Sequence, residues 1–330
     1  MQNSLFPVVK KISDLGLKYP PIVSDLPSLG IIYPENHFFH QYGKVVYKKL
    51  TAQEEQLYSE PLFINNSVLL NQMCESLIYF NDSPKISIED MIIADRDVMV
   101  LMQRIVSFGD KLYGLEFECS ECDSKLSPSE IEIRDIKIEK LSLIPFEPNK
   151  NVFMTKINKH RILFKFFTVK DELESGISAL YSFKPSEFLS KVIIEVDGYN
   201  DPQIIEQFVK RDLSIKDVRK LYSYISEHEP YIKFISNSII CKNCHYDNKV
   251  ETRINLDFLG INHEKTKEIQ LDEFYILERH LNMTYDDVLQ LPIQDRKSLK
   301  LKTIANVKKE NNPKEAESNE PLQRHGSKKI

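Results

Sequence analysis

Glycine is scarce in this 330-residue chain: 9 residues, against roughly 7% in an average protein. Loops that cradle phosphate rely on Gly so that the backbone can approach the ligand. Neither G-x-G-x-x-G nor G-x-x-x-x-G-K-[ST] occurs, which argues against nucleotide handling. No apolar run reaches the roughly 18 residues of a membrane-spanning helix, and residues 1–19 lack the apolar stretch of a secretory signal. The expectation is a protein that folds in a reducing cytoplasm. Motifs of hydrolytic chemistry are missing too. There is no H-E-x-x-H, no G-x-S-x-G and no H-x-E with P-C-x-x-C; His228-Glu229 fits none of these patterns. The chain is therefore read as a non-enzyme.

Charge of either sign is not in large excess. The formal net charge is -5, so non-specific attraction to nucleic acid or anionic membrane is weak. Apolar residues make up 42%, with 18 Phe and 15 Tyr, enough for a sizeable core. Aromatic pairs such as Phe38-Phe39 and Phe166-Phe167 could stack bases, but Phe164 and Phe166 fall on one strand face and read as core. Lys308-Lys309 and Lys328-Lys329 read as a solvated tail.

Four of the five cysteines form two C-x-x-C pairs, Cys119/Cys122 and Cys241/Cys244. In a reducing compartment such pairs favour metal over disulfide. Each pair follows one strand-like stretch and precedes another, so each can be a hairpin knuckle. Two knuckles complete a tetrahedral set of four thiolates for one structural zinc ion. The spacer between the pairs, residues 123–240, is 118 long, which implies an inserted segment whose ends meet at the metal. Redox C-x-x-C pairs normally open a helix, and neither pair does so here. His245 is the alternative ligand, though a solvated knuckle residue is the better reading. Cys74 lies on an apolar helical stripe and reads as a small core hydrophobe.

The element pattern gives an α+β fold: an N-terminal helical layer with strands, an inserted α+β segment, the two knuckles joining them, and a helical C-terminal extension. Residues 1–50, broken by Pro20-Pro21, Leu26-Pro27-Ser28-Leu29-Gly30 and Tyr33-Pro34, read as an extended arm. Residues 51–140 hold the helical segment and the first knuckle. Thr51-Ala52-Gln53-Glu54 is a capping box. A helix from about Asn66 presents Leu70, Met73, Cys74, Leu77 and Ile78, and one over 95–108 presents Val98, Leu101, Met102, Ile105 and Val106 and stops at Gly109. Residues 141–262 form an α+β domain ending in the second knuckle. It has a hairpin around Asn158-Lys159-His160, a helix over 169–182, a strand over 191–196, a helix starting at Asp201-Pro202 and one capped by Ser214 with Asp217. Residues 263–306 are helices, with Phe274, Leu277 and Leu281 facing inward. Residues 307–330 read as a disordered tail.

Several segments, in order, resemble the baseplate hub assembly proteins of T-even-type contractile-tailed bacteriophages. They are Leu26-Pro27-Ser28-Leu29-Gly30 with Tyr33-Pro34; Leu50-Thr51-Ala52-Gln53-Glu54-Glu55; Asp95-Arg96-Asp97-Val98-Met99-Val100-Leu101; and Ser107-Phe108-Gly109 before the first C-x-x-C. They continue with Val192-Ile193-Ile194-Glu195-Val196-Asp197-Gly198, Leu256-Asp257-Phe258-Leu259 and Met283-Thr284-Tyr285-Asp286-Asp287-Val288-Leu289. The resemblance spans about residues 22–300. It implies a zinc-binding virion-assembly protein, structural or chaperone-like, whose partners are other hub or tail proteins. No nucleic acid, membrane or small-molecule substrate is implied. Its place would be the host cytoplasm during assembly or the tail baseplate of the virion. The competing reading is a nucleic-acid-binding zinc protein, a phage transcription or replication factor.

Overall fold

The computed structural model describes residues 22–35, 39–40, 44–47, 49–59, 88–112, 115–128, 131–132, 135–142, 147, 149–175, 184–254 and 263–311. The helix expected from Asn66, Cys74 within it, Phe38 and the Lys328-Lys329 pair lie outside these residues. The chain mixes helix and strand, as an α+β protein does, and divides into two compact units. One joins residues 1–49 to 57–261; the other joins 50–56 to 262–330.

The larger unit is centred on the helix Ile93–Phe108, with buried residues on every face. A helix buried all round would ordinarily be apolar all round, yet this one carries Asp95, Arg96, Gln103, Arg104 and Ser107 inside. Each has a partner. Asp95 accepts from the Ser28 backbone N–H at 2.9 Å and from the hydroxyls of Ser28 and Tyr33. Arg96 pairs with Asp97 at 2.9 Å and with Glu172. Gln103 donates to Ser107, and Arg104 to the Lys111 carbonyl. The helix lacks a side-chain cap. Its first N–H, from Ile93, donates instead to the Phe167 carbonyl at 3.0 Å. It ends as the sequence suggests, with Gly109 at φ +102°.

Residues 22–35 are not an arm. Ile22–Asp25 pairs antiparallel with Lys44–Tyr47, and Leu26, Ile32, Tyr33 and Phe39 are buried. The proline-broken stretch turns back on itself. Leu29 at φ +57° and Gly30 at φ +74° place two successive residues in the left-handed region, and Leu29 N–H closes the turn on the Leu26 carbonyl. This coil brings Ser28 and Tyr33 onto Asp95. A polar contact to a distant residue, invisible to local patterning, turns an irregular segment into core.

Two three-stranded antiparallel sheets follow. In the first, the hairpin Phe153–Ile157 and His160–Phe164, turned at Asn158 (φ +53°), is extended by Ile193–Val196. The strand expected over 191–196 begins two residues later, because the helix Pro185–Val192 runs through Val192. In the second sheet Tyr231–Ile235 lies between Ile136–Glu139 and Glu251–Arg253. The pairing of 136–139 with 231–235 crosses the anticipated boundary at 140/141, so the residues assigned to two domains form one body. The helix at Pro202 is capped by Asp201 as read, then widens into a π-helical turn, Phe208–Asp212. Ser214 and Asp217 form the anticipated capping box of Ile215–His228. The helix from Val169 is described to Ser175. Phe164, Phe166 and Phe167 are all buried, as core.

In the smaller unit, the capping box of Thr51 and Glu54 forms, but the helix start belongs with the C-terminal helices. Ala52 N–H donates to the Leu291 carbonyl and Ile293 N–H to the Leu50 carbonyl. Ala52, Phe274, Leu277 and Val288 make the core. Leu281 is 43% exposed and not inward-facing. Arg296 is fully buried and pairs with Glu55 and Glu273; Gln270 also donates to Glu55. The last helix, Ile293–Asn311, passes the expected end at 306. Among the described residues, no helix is long and apolar enough to cross a membrane.

Candidate metal centre

Each C-x-x-C pair sits in the loop of a two-stranded hairpin. Phe117–Glu118 pairs with Lys125–Leu126, and Ile239–Ile240 with Asp247–Asn248. The loops 119–124 and 241–246 are equal in length, and the geometry of the first recurs 122 positions later in the second. Cys119 N–H donates to the Ser124 carbonyl and Cys241 N–H to the Tyr246 carbonyl, both at 2.9 Å. Asp123 (φ +54°) and His245 (φ +59°) hold the same left-handed corner, and each N–H there returns to the first Cys carbonyl of its loop. That corner explains His245: it shapes the turn, is exposed, and stands outside the group of four sulfurs.

The hairpins face each other. All four Sγ atoms lie within 4.8 Å of one another. The shortest approaches run between the loops, Cys119 to Cys244 at 3.6 Å and Cys122 to Cys241 at 3.7 Å. Disulfide sulfurs would be about 2.0 Å apart, and all four cysteines are free. Zn–S bonds of about 2.3 Å give a tetrahedron with edges of about 3.8 Å. The four cysteines are thus close enough to hold one metal ion, and their spacing is compatible with a single zinc.

The surroundings supply donors to sulfur, as ligating groups require. Asn248, buried at the end of the second hairpin, spans both loops. Its carbonyl oxygen accepts from the Ser120 N–H and hydroxyl; its amide donates to Cys119 Sγ at 3.5 Å and to the carbonyls of Ile239 and Tyr246. Asn243 donates its backbone N–H to Cys241 Sγ at 3.4 Å and its amide to Ser124. Among the causes acting on Cys119, desolvation raises its thiol pKa, but the N–H groups of Glu121 and Cys122 and the Asn248 amide bring it below the ordinary value. The Ser124 hydroxyl and N–H lower Cys122 to about 6. At Cys244 the Tyr246 N–H acts downward, yet burial and the three neighbouring sulfurs push the thiol up to about 12. Four thiolates cannot share this space alone; a dication removes the conflict.

Sequence patterning grouped the four cysteines that the structure brings together and missed Asn248. The signal was faint: an Asn in a strand, where Asn is disfavoured, at the position occupied by Leu126 in the first hairpin. His228, by contrast, bonds the Tyr224 carbonyl within its own helix. No family model, no curated protein and no solved structure matches this chain.

Proposed function

We propose that the chain is a zinc-clamped, non-catalytic scaffold that helps to build the baseplate hub of a contractile-tailed bacteriophage by binding other hub or tail proteins. The observation that carries the scaffold reading is the convergence of four sulfurs from hairpins 118 residues apart. Cys119, Cys122, Cys241 and Cys244 would fill all four positions of a zinc ion and leave none open to substrate, the mark of a structural site. Zinc there supplies binding free energy to the fold. It fastens the ends of the intervening segment where Ile136–Glu139 already pairs with Tyr231–Ile235.

The hub reading rests on the ordered segments that resemble that family. Two of them, Leu26–Gly30 with Tyr33 and the stretch from Asp95, meet in the fold around the Asp95 carboxylate. In the smaller unit Leu271 and Tyr275, one helical turn apart, are 60% and 59% exposed, which suits a helix face that docks on a partner. Assembly would take place in the host cytoplasm, and the product would be the tail baseplate.

The test is the zinc content of protein purified without added metal, beside Cys119→Ser/Cys241→Ser, together with co-purification against co-expressed tail proteins of the same phage. One zinc per wild-type chain, none in the variant, and a stable complex with a tail protein are expected. Four reactive thiols and no zinc would remove the scaffold reading. Zinc without any tail-protein complex would remove the hub reading. A gel shift with DNA or RNA at low salt that fades steeply with added salt would favour a nucleic-acid-binding zinc protein instead.

A further inference from the structure

Away from the cysteines, the larger unit contains a cavity of about 310 Å³, within the range of small-ligand sites. Its walls come from separate parts of the chain. Ile93, Ala94 and Asp97 come from the buried helix, Tyr222 and Ser226 from Ile215–His228, and Tyr231, Ile232 and Arg253 from the sheet beside the second knuckle. Aromatic rings line one side in a relay. Phe167 stacks on Phe188 at 6.1 Å, and Phe188 meets Tyr222 edge-on at 5.3 Å. Asp97 and Glu229 are the acidic groups on the lining.

Among the described residues, the charges around this space do not balance. Asp97, Glu172 and Glu229 carry three carboxylates. Arg96 and Arg253 carry two guanidiniums. Arg96 is fully buried and engages one Asp97 oxygen and both Glu172 oxygens. Arg253 lies at the rim, 47% exposed, 3.5 Å from Glu229, and donates to the Ser226 carbonyl. Its guanidinium sits 4.0 Å from the centroid of the Tyr231 ring. The chain's own Arg253 thus displays the contacts that this wall offers a cation: an aromatic face and a carboxylate.

We infer that the cavity is a binding site for one organic monocation on an apolar stem, an alkylguanidinium or alkylammonium, held by Asp97 and Glu229 with its stem against Phe188 and Tyr222. A single positive charge closes the deficit of one, and the aromatic side accepts the stem. The acidic groups behave as a site short of a cation would. Desolvation pushes Asp97 up to about 6 despite Arg96, and Glu229 up to about 7 despite Arg253, each with a neighbouring carboxylate adding to the rise. The site shares no lining residue with the metal centre, and it does not rest on the hub reading.

The test uses the full-length, metal-loaded protein and calorimetric titration with butylguanidinium, with a short end-capped peptide containing a single arginine, and with butylurea as the neutral counterpart. The two cations separate a free small guanidinium from the side chain of a partner protein. Binding of at least one cation, with butylurea inert, is expected. Glu229→Gln should weaken it about 10- to 100-fold, the loss for one charge-assisted hydrogen bond. Tyr222→Ala should weaken it as well. Asp97→Asn is the second charge variant, and it is compared only if its thermal midpoint stays near that of the wild type. Glu229→Gln decides the matter alone if Asp97→Asn does not fold. No binding by either cation, equal binding of butylurea, or cation binding unchanged in Glu229→Gln would overturn the assignment.

Discussion

Replacing Asp95 by Asn should make the larger unit less sensitive to pH. Asp95 is fully buried, and desolvation raises its pKa from 3.8 to about 6 even though Ser28 and Tyr33 donate to it. In the unfolded chain it titrates near 3.9. Between these values the folded state holds more of this proton than the unfolded state does, so stability falls as pH rises from about 4 to about 6 and is flat above. Two pKa units correspond to about 3 kcal/mol. Asn keeps the shape and never ionises. Its carbonyl can still accept from the Ser28 N–H, and its amide can donate to the Ser28 or Tyr33 hydroxyl, which reverse roles. Urea unfolding followed by circular dichroism and tyrosine fluorescence at pH 4.5 and pH 7.5 gives the difference between wild type and variant. Asp97 and Glu229 also carry raised pKa values and add their own slope, which cancels in that difference. The expected result is a variant equal or slightly inferior at the lower pH and relatively better by about 2 kcal/mol at the higher. A difference that does not change with pH would show that Asp95 does not titrate in this range. A loss of several kcal/mol confined to pH 7.5 would show that the carboxylate is held charged. Either refutes the reasoning.

Zinc chelation, or Cys119→Ser, should lower the thermal midpoint and free the second hairpin to exchange amide hydrogens, read by hydrogen-exchange mass spectrometry over residues 239–248; unchanged exchange would mean that the metal does not hold the hairpin. Asn248→Leu, which copies Leu126 of the first hairpin, should keep the four ligands but weaken zinc affinity about 10- to 100-fold in competition with a chromophoric chelator. Arg296→Met strands Glu55 and Glu273 in the interior of the smaller unit and should cost about 3–5 kcal/mol, while replacing all three by apolar residues of similar volume should recover most of it. Helix melting by circular dichroism measures both, and a mild effect of Arg296→Met alone would count against a desolvated triad.

What could be read in advance was whatever local chemistry dictates. The C-x-x-C spacing pointed to the four cysteines that the structure brings within 4.8 Å of one another, because two residues between sulfurs suffice to aim both at one point. The caps at Thr51, Asp201 and Ser214 formed because each carries its own acceptor beside the helix it starts. The failures were non-local. Residues 22–35 looked like an arm because prolines break helices; their packing depends on Asp95, 67 positions from Ser28. The boundary at 140/141 looked sound because prolines follow it. A register that pairs Ile136 with Phe234 and Glu139 with Tyr231 leaves no mark on either strand alone. Residues 51–56 were placed with the helices that follow them in sequence, whereas Glu55 is fixed by Arg296, 241 positions away.

The sheet beside the second knuckle joins the metal centre to the cation cavity. Tyr231–Ile235 runs toward Cys241, and Glu251–Arg253 returns from the hairpin that follows it. The same two strands contribute Tyr231, Ile232 and Arg253 to the cavity wall. Phe117, just before the first knuckle, stacks on Phe234 in the central strand at 5.5 Å, so both knuckles bear on it. A metal that fixes the hairpins would therefore also fix the register that sets Arg253 opposite Lys233 and over the Tyr231 ring, beside Glu229. An ion held by the four cysteines and the cavity would then be coupled without any shared ligand. Loss of zinc should weaken cation binding, and linkage requires a bound cation to raise metal affinity by the same factor.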